Sequence, residues 1–192
     1  MKTLKTLALV FSIVTFFSSC SSDNNKSTPV IEEELITTVT AIYTPQGGGT
    51  AVTLESKDID GDGPGAPTVT VSGAFAQNTT YNGVVTFKNE SVNPAEDITI
   101  EIKELAEEHQ VFYQKTGSLN NFTYATAADN FDTNGNPVGL QSVFTTTGAT
   151  SGTLKITLVH LPNKTATGVS AGDLTNAGGS TDATAIFEIS VE

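Results

Sequence analysis

Thiol chemistry is almost missing from this 192-residue chain: Cys20 is its single cysteine, so no disulfide can form within one copy and the fold must rest on its apolar core. Tryptophan is absent, which removes the broadest aromatic platform a carbohydrate site could use. Basic residues are few, nine Lys and Arg against 21 Asp and Glu, and the formal charge is -12. Such a surface repels phosphates, which excludes nucleic acid and anionic headgroups as partners held through a basic patch. After the first twenty residues no apolar run approaches the roughly 20 residues of a spanning helix. Also absent are a phosphate-binding glycine loop, an HExxH pair and a thiolate with a partnered histidine. The chain therefore reads as non-enzymatic.

What is present starts at the first residue. Lys2 and Lys5 precede an apolar stretch from Leu7 to Phe17, which is the form of a secretory signal. Phe17-Ser18-Ser19-Cys20 closes it with small residues directly before the thiol. That order suits attachment of diacylglycerol to Cys20 and cleavage on its amino side, so residues 1–19 read as a leader and Cys20 as the lipidated first residue. Loss of Lys2 and Lys5 takes the charge from -12 to -14. Several acyl chains, each methylene adding ~0.8 kcal/mol when buried, would then hold the protein at a membrane. Residues 20–34, SSDNNKSTPVIEEE after the cysteine, have no aromatics and little apolar content, and read as a disordered tether.

From Leu35 to Glu192 the composition turns to threonine, valine, isoleucine and glycine, in strand-length runs broken by turns. Strands are expected at 35–43, 50–56, 68–75, 78–87, 109–115, 122–126, 143–147, 153–161 and 183–191. Gly47-Gly48-Gly49 and Gly148 to Gly152 each read as hairpin turns. In 183–191 the residues Ala185, Phe187, Ile189 and Val191 alternate with polar neighbours, the period of a half-buried strand. Residues 94–108 fit a helix, with Asn93 as cap and Ile98, Ile102 and Leu105 on one face; the rival reading is a strand, in which Ile98, Ile100 and Ile102 alternate. The expected fold is mostly β: a single antiparallel β-sandwich, immunoglobulin-like or transthyretin-like, with one short helix.

Three groups of residues could bind something. Asp58-x-Asp60-x-Asp62-Gly63 has the alternate carboxylates and tight turn of the first half of a calcium loop, without the closing glutamate, since Val69 stands in its place. Further donors could come from Asp129, Asp132, Asn134 or Asn136. His109 and His160 are the only histidines and both fall at strand ends; with Glu107 or Glu108 they could form a zinc or copper site. The long loop 162–180 carries Asp173, Thr175 and Asn176, which could contact a sugar or peptide.

Several stretches resemble a family of small Bacteroidota cell-envelope lipoproteins. They are Glu33-Glu34-Leu35-Ile36-Thr37-Thr38-Val39, Asp58-Ile-Asp-Gly-Asp-Gly-Pro64, Asn78-Thr-Thr-Tyr-Asn-Gly83, Asn93-Pro-Ala-Glu-Asp-Ile98, Glu107-Glu-His-Gln-Val-Phe-Tyr113, His160-Leu-Pro-Asn-Lys164 and Ala171-Gly-Asp-Leu-Thr-Asn-Ala-Gly-Gly179. Ser21-Ser22-Asp23-Asn24-Asn25 likewise resembles the polar export signal that such proteins place behind the lipidated cysteine. The resemblance implies an outer-membrane location, facing the periplasm or the cell surface. Members are sometimes named for a type 1 periplasmic binding fold, which needs two α/β lobes and a longer chain. Others are named for a cyclohydrolase, whose Cys/His zinc set is not left once Cys20 is lipidated. The expectation is a lipid-anchored, non-catalytic binding module, with calcium as a candidate cofactor. The alternative is an accessory subunit of an envelope complex.

Overall fold

The computed structural model describes residues 35–61 and 64–192. The leader, Cys20, the tether and Asp62 lie outside the described residues. Two antiparallel sheets face each other. The larger contains β3 (Thr68–Val71), β2 (Val52–Lys57), β1 (Thr38–Pro45), β4 (Thr80–Asn89), β8 (Gln141–Thr145) and β7 (Phe122–Tyr124) in that spatial order, with the short β5 (Glu96–Asp97) pairing the end of β4. The smaller holds β10 (Ser180–Val191), β9 (Thr150–His160) and β6 (His109–Lys115). This is the mostly β, antiparallel two-sheet arrangement that the alternating pattern implies.

Period-two alternation builds the core from both sides. Val39, Ala41 and Tyr43 on β1 and Tyr81, Val85 and Phe87 on β4 are buried, as are Leu154, Ile156 and Leu158 on β9 and Ala185, Phe187, Ile189 and Val191 on β10. Tyr43, Phe75, Tyr81, Phe122 and Phe144 meet at centroid separations of 4.1 to 6.5 Å, mostly edge to face. Pairs of this kind add about 0.5–1.5 kcal/mol each beyond area burial. Gly83, opposite Tyr43 in the β1–β4 register, is required there: a Cβ would collide with the Tyr43 ring.

Three expectations are corrected. The helix α1 spans Ile98–Glu104, not 94–108, and its cap is Asp97, whose Oδ1 accepts from the Thr99 N–H at 3.1 Å, not Asn93. The cause is β5: Glu96 and Asp97 pair with Asn89 and Lys88, which keeps the chain extended up to the cap. Thr99 then pins the helix to β4, its hydroxyl accepting from the Phe87 N–H and donating to the Phe87 carbonyl. Next, β8 and β9 do not form a hairpin. β8 pairs with β4 and β7, whereas β9 pairs with β6 and β10, so Thr146 to Ala149 carry the chain from one sheet to the other. Finally β3 ends at Val71, short of the expected residue 75, and Val69 is 42% exposed. Phe75 reaches the core from an isolated bridge to Val191 instead.

The segment after β9 is folded against the sheet rather than extended from it. Val169 and Ala177 cover Phe112 and Val159, which point away from the main core on the outer side of the smaller sheet. Lys164 in the same segment is buried, donating to the Ala106 carbonyl at 2.5 Å and to Asp132 Oδ2 at 3.1 Å.

Candidate metal centre at one end of the smaller sheet

His109 opens β6 and His160 closes β9, and the antiparallel register sets them directly opposite one another. Odd residues of β6 and even residues of β9 face the other sheet, as Val111 and Leu158 do, so the two imidazoles share that face at its end. Their rings stack, 4.9 Å between centroids and 10° from parallel. The third member is Asp182. Along β10 the register slips between Thr181, opposite Val159, and Ala183, opposite Leu158, which leaves Asp182 as the extra residue of a bulge. A bulge redirects a side chain that strict alternation would send to the other face. Asp182 Oδ2 lies 3.9 Å from His109 Nε2. One donor atom from each of His109, His160 and Asp182 lies within 4.8 Å of the others.

The surroundings prepare these groups. His109 is almost wholly buried, and its Nδ1 lies 3.2 Å from the carbonyl of Leu105, the C-cap residue of α1. A carbonyl can only accept, so Nδ1 carries the proton and the Nε2 lone pair is left for a ligand. Burial lowers the His109 pKa, the Leu105 carbonyl opposing it, so the ring stays neutral at neutral pH. His160 Nε2 lies 3.5 Å from Oε2 of Glu108, a half-exposed side chain. Glu107 turns elsewhere and accepts from the Thr133 hydroxyl. Of the two glutamates expected near the histidines, only Glu108 is therefore at hand. Gly179, one residue before β10, has φ +72° and sits where any Cβ would strike the His160 carbonyl oxygen. It brings the start of β10 close enough for the bulge to deliver Asp182.

Asp182 also lines a cavity of about 340 Å³ with Thr37, Val39, Ser56, Asp58 and Ala183. Asp58 belongs to the expected calcium loop. It lies against Asp60: contact with that carboxyl, then burial, raises the Asp58 pKa, while contact with Asp58 and the Gly65 N–H lowers that of Asp60. Asp58 Oδ1 is shielded from solvent without a hydrogen-bond partner. Two of the three loop carboxylates are thus adjacent, and Asp62 lies outside the described residues. Two of the supplementary donors are engaged elsewhere. Asp129 accepts from the Gln141 side chain, and Asp132 is taken by Lys164, whose ammonium already supplies its positive charge.

The expected ligand loop is internally bonded. The Thr175 hydroxyl, and after it the Thr175 N–H that donates to Asp173 Oδ1 at 2.9 Å, lower the Asp173 pKa, and Asn176 Nδ2 donates to the Thr167 carbonyl at 3.0 Å. Asp173 borders a cavity of about 300 Å³ that also touches Tyr113, Phe122 and Tyr124. Both tyrosine hydroxyls there are committed to backbone carbonyls, those of Gly139 and Val111.

Asp182 is the residue the sequence reading missed. Alternation through Ala183, Ala185 and Phe187 assigns it to the outer face, and nothing in Ser180-Thr181-Asp182-Ala183 announces the bulge.

No family model, curated protein or solved structure matches this chain.

Proposed function

We propose that this chain is a non-catalytic binding module, anchored in the outer membrane through acyl chains on Cys20, with its binding centre at the end of the smaller sheet. The observation that carries the reading is the convergence of two imidazoles and a bulge-borne carboxylate beside a cavity. The signal-like leader, the placement of Cys20 and the resemblance to Bacteroidota envelope lipoproteins support the location. An accessory-subunit role is the second reading. It is favoured by Ile42 and Val84, cross-strand partners on the outer face of the larger sheet, 44% and 48% exposed.

Labelled palmitate should enter the parent and not a Cys20→Ser variant, and the variant should leave the membrane fraction. Equal fractionation of the two would refute the anchor. Protein recovered from membranes should carry a bound metal or small molecule in native mass spectrometry. Recovery only in a stable crosslinked complex that contacts the Ile42 and Val84 face would favour the accessory role instead.

A further inference from the structure

We propose that His109, His160 and Asp182 bind one borderline divalent transition-metal ion, zinc or copper(II), with Glu108 supplying the fourth donor from the rim. The inference deepens the binding-module reading and rests on it. Four features of the site carry it. The donor set is two imidazoles and a carboxylate, which suits zinc and copper(II) and not the all-oxygen shell that calcium or magnesium takes. The donors are already gathered: tetrahedral zinc at its usual bond lengths holds ligand atoms about 3.3 Å apart, and these lie within 4.8 Å. Each comes from a different, hydrogen-bonded strand, so the backbone fixes their spacing. The Leu105 carbonyl fixes the His109 ring and its tautomer, the support that metal-binding histidines characteristically receive.

In-plane lone pairs of parallel imidazoles do not converge, so the ion tilts the rings apart as it binds, and Glu108 follows His160, which it already approaches at 3.5 Å. An ion held this way also ties His160, the last residue of β9, to Asp182 near the start of β10. It therefore closes both ends of the segment that covers the outer side of the smaller sheet.

The test uses the full mature chain in detergent, titrated with zinc and copper(II), with calcium as comparator. One equivalent of zinc or copper should bind, and the copper(II) electron paramagnetic resonance spectrum should show coupling to two imidazole nitrogens. His160 is part-exposed, so His160→Ala should fold; it should lose one nitrogen coupling and at least about 100-fold in affinity, since changes to groups that merely support a metal ligand already cost 10–100-fold. Asp182→Asn should weaken binding with both nitrogens kept, and Glu108→Gln should weaken it less. Because His109→Ala empties a buried position, its circular dichroism is compared first, and the folded fraction should bind no copper. No uptake of either ion, or uptake unchanged in His160→Ala and Asp182→Asn, would overturn the proposal. So would calcium binding that competes with zinc and depends on His160. None of these outcomes touches the palmitate and fractionation result, so the lipid anchor stands or falls separately from the metal site.

Discussion

Replacing Lys164 with methionine keeps the aliphatic stem of the side chain and deletes its charge. In the parent, the ammonium donates to the Ala106 carbonyl at 2.5 Å and to Asp132 Oδ2 at 3.1 Å, with the two side chains only 5% and 1% exposed. Asp132 Oδ1 meanwhile accepts from the N–H groups of Asn134 and Asn136 at 3.0 and 2.8 Å. In Lys164→Met that oxygen stays satisfied, but Oδ2 and the Ala106 carbonyl are left bare in a site water scarcely reaches. Removing one partner of a buried pair costs about 3–5 kcal/mol. In a domain of this size each kcal/mol lowers the midpoint by about 2–4 °C, so the loss should be roughly 6–20 °C. Adding Asp132→Asn should restore most of it. The amide oxygen can still cap the Asn134 and Asn136 N–H groups, and no charge is then buried. Urea unfolding of the parent, both single variants and the double variant, followed by far-ultraviolet circular dichroism, gives the coupling energy directly. A loss below about 1 kcal/mol for Lys164→Met, in the range of exposed ion pairs, would refute the reasoning. So would a double variant less stable than Lys164→Met.

The same carboxylate sets a pH dependence. Burial pushes the Asp132 pKa up, but the Asn136 N–H, the Lys164 ammonium and the Asn134 N–H together outweigh it, and the net value lies below the ordinary 3.8. Between the folded and unfolded values the unfolded chain binds more protons, so the contribution is intact above the ordinary value and fades as pH falls through the folded one. Midpoints measured from pH 2 to 6 should decline less steeply below about pH 4 in Asp132→Asn than in the parent; parallel curves would count against it. Gly179→Ala should cost more than about 1 kcal/mol in urea unfolding, because φ +72° and the His160 carbonyl both oppose a Cβ, and it should weaken zinc binding without altering a ligand. Unchanged stability would mean that β10 can start elsewhere. Asp58→Asn should raise the midpoint in chelator by relieving the crowding against Asp60, and should remove any gain that millimolar calcium gives the parent; a lower midpoint in chelator would contradict the carboxylate pairing.

What could be read in advance separates along a physical line. Alternation places Ala185, Phe187, Ile189 and Val191 in the core because a half-buried strand imposes its period on the chain locally. His109 and His160 could be set at strand ends for the same reason. Partnership is different. Gly148 to Gly152 look like a hairpin turn, yet the same glycines equally permit a crossing between sheets. The choice is made by β4 and β7 competing for β8, residues distant in sequence. Asn93 looks like a helix cap until β5 draws Glu96 and Asp97 into the larger sheet, and that too is a long-range event. Asp182 is the sharpest instance, since a single residue inserted relative to β9 reverses the face it occupies. The proposed metal centre depends on both kinds of information: two histidines whose place follows from local pattern, and a carboxylate brought in by a slip of register. It follows that lengthening or shortening β10 by one residue between Ser180 and Ala183 should remove the centre while leaving the alternation below Ala185, and hence the core, in place.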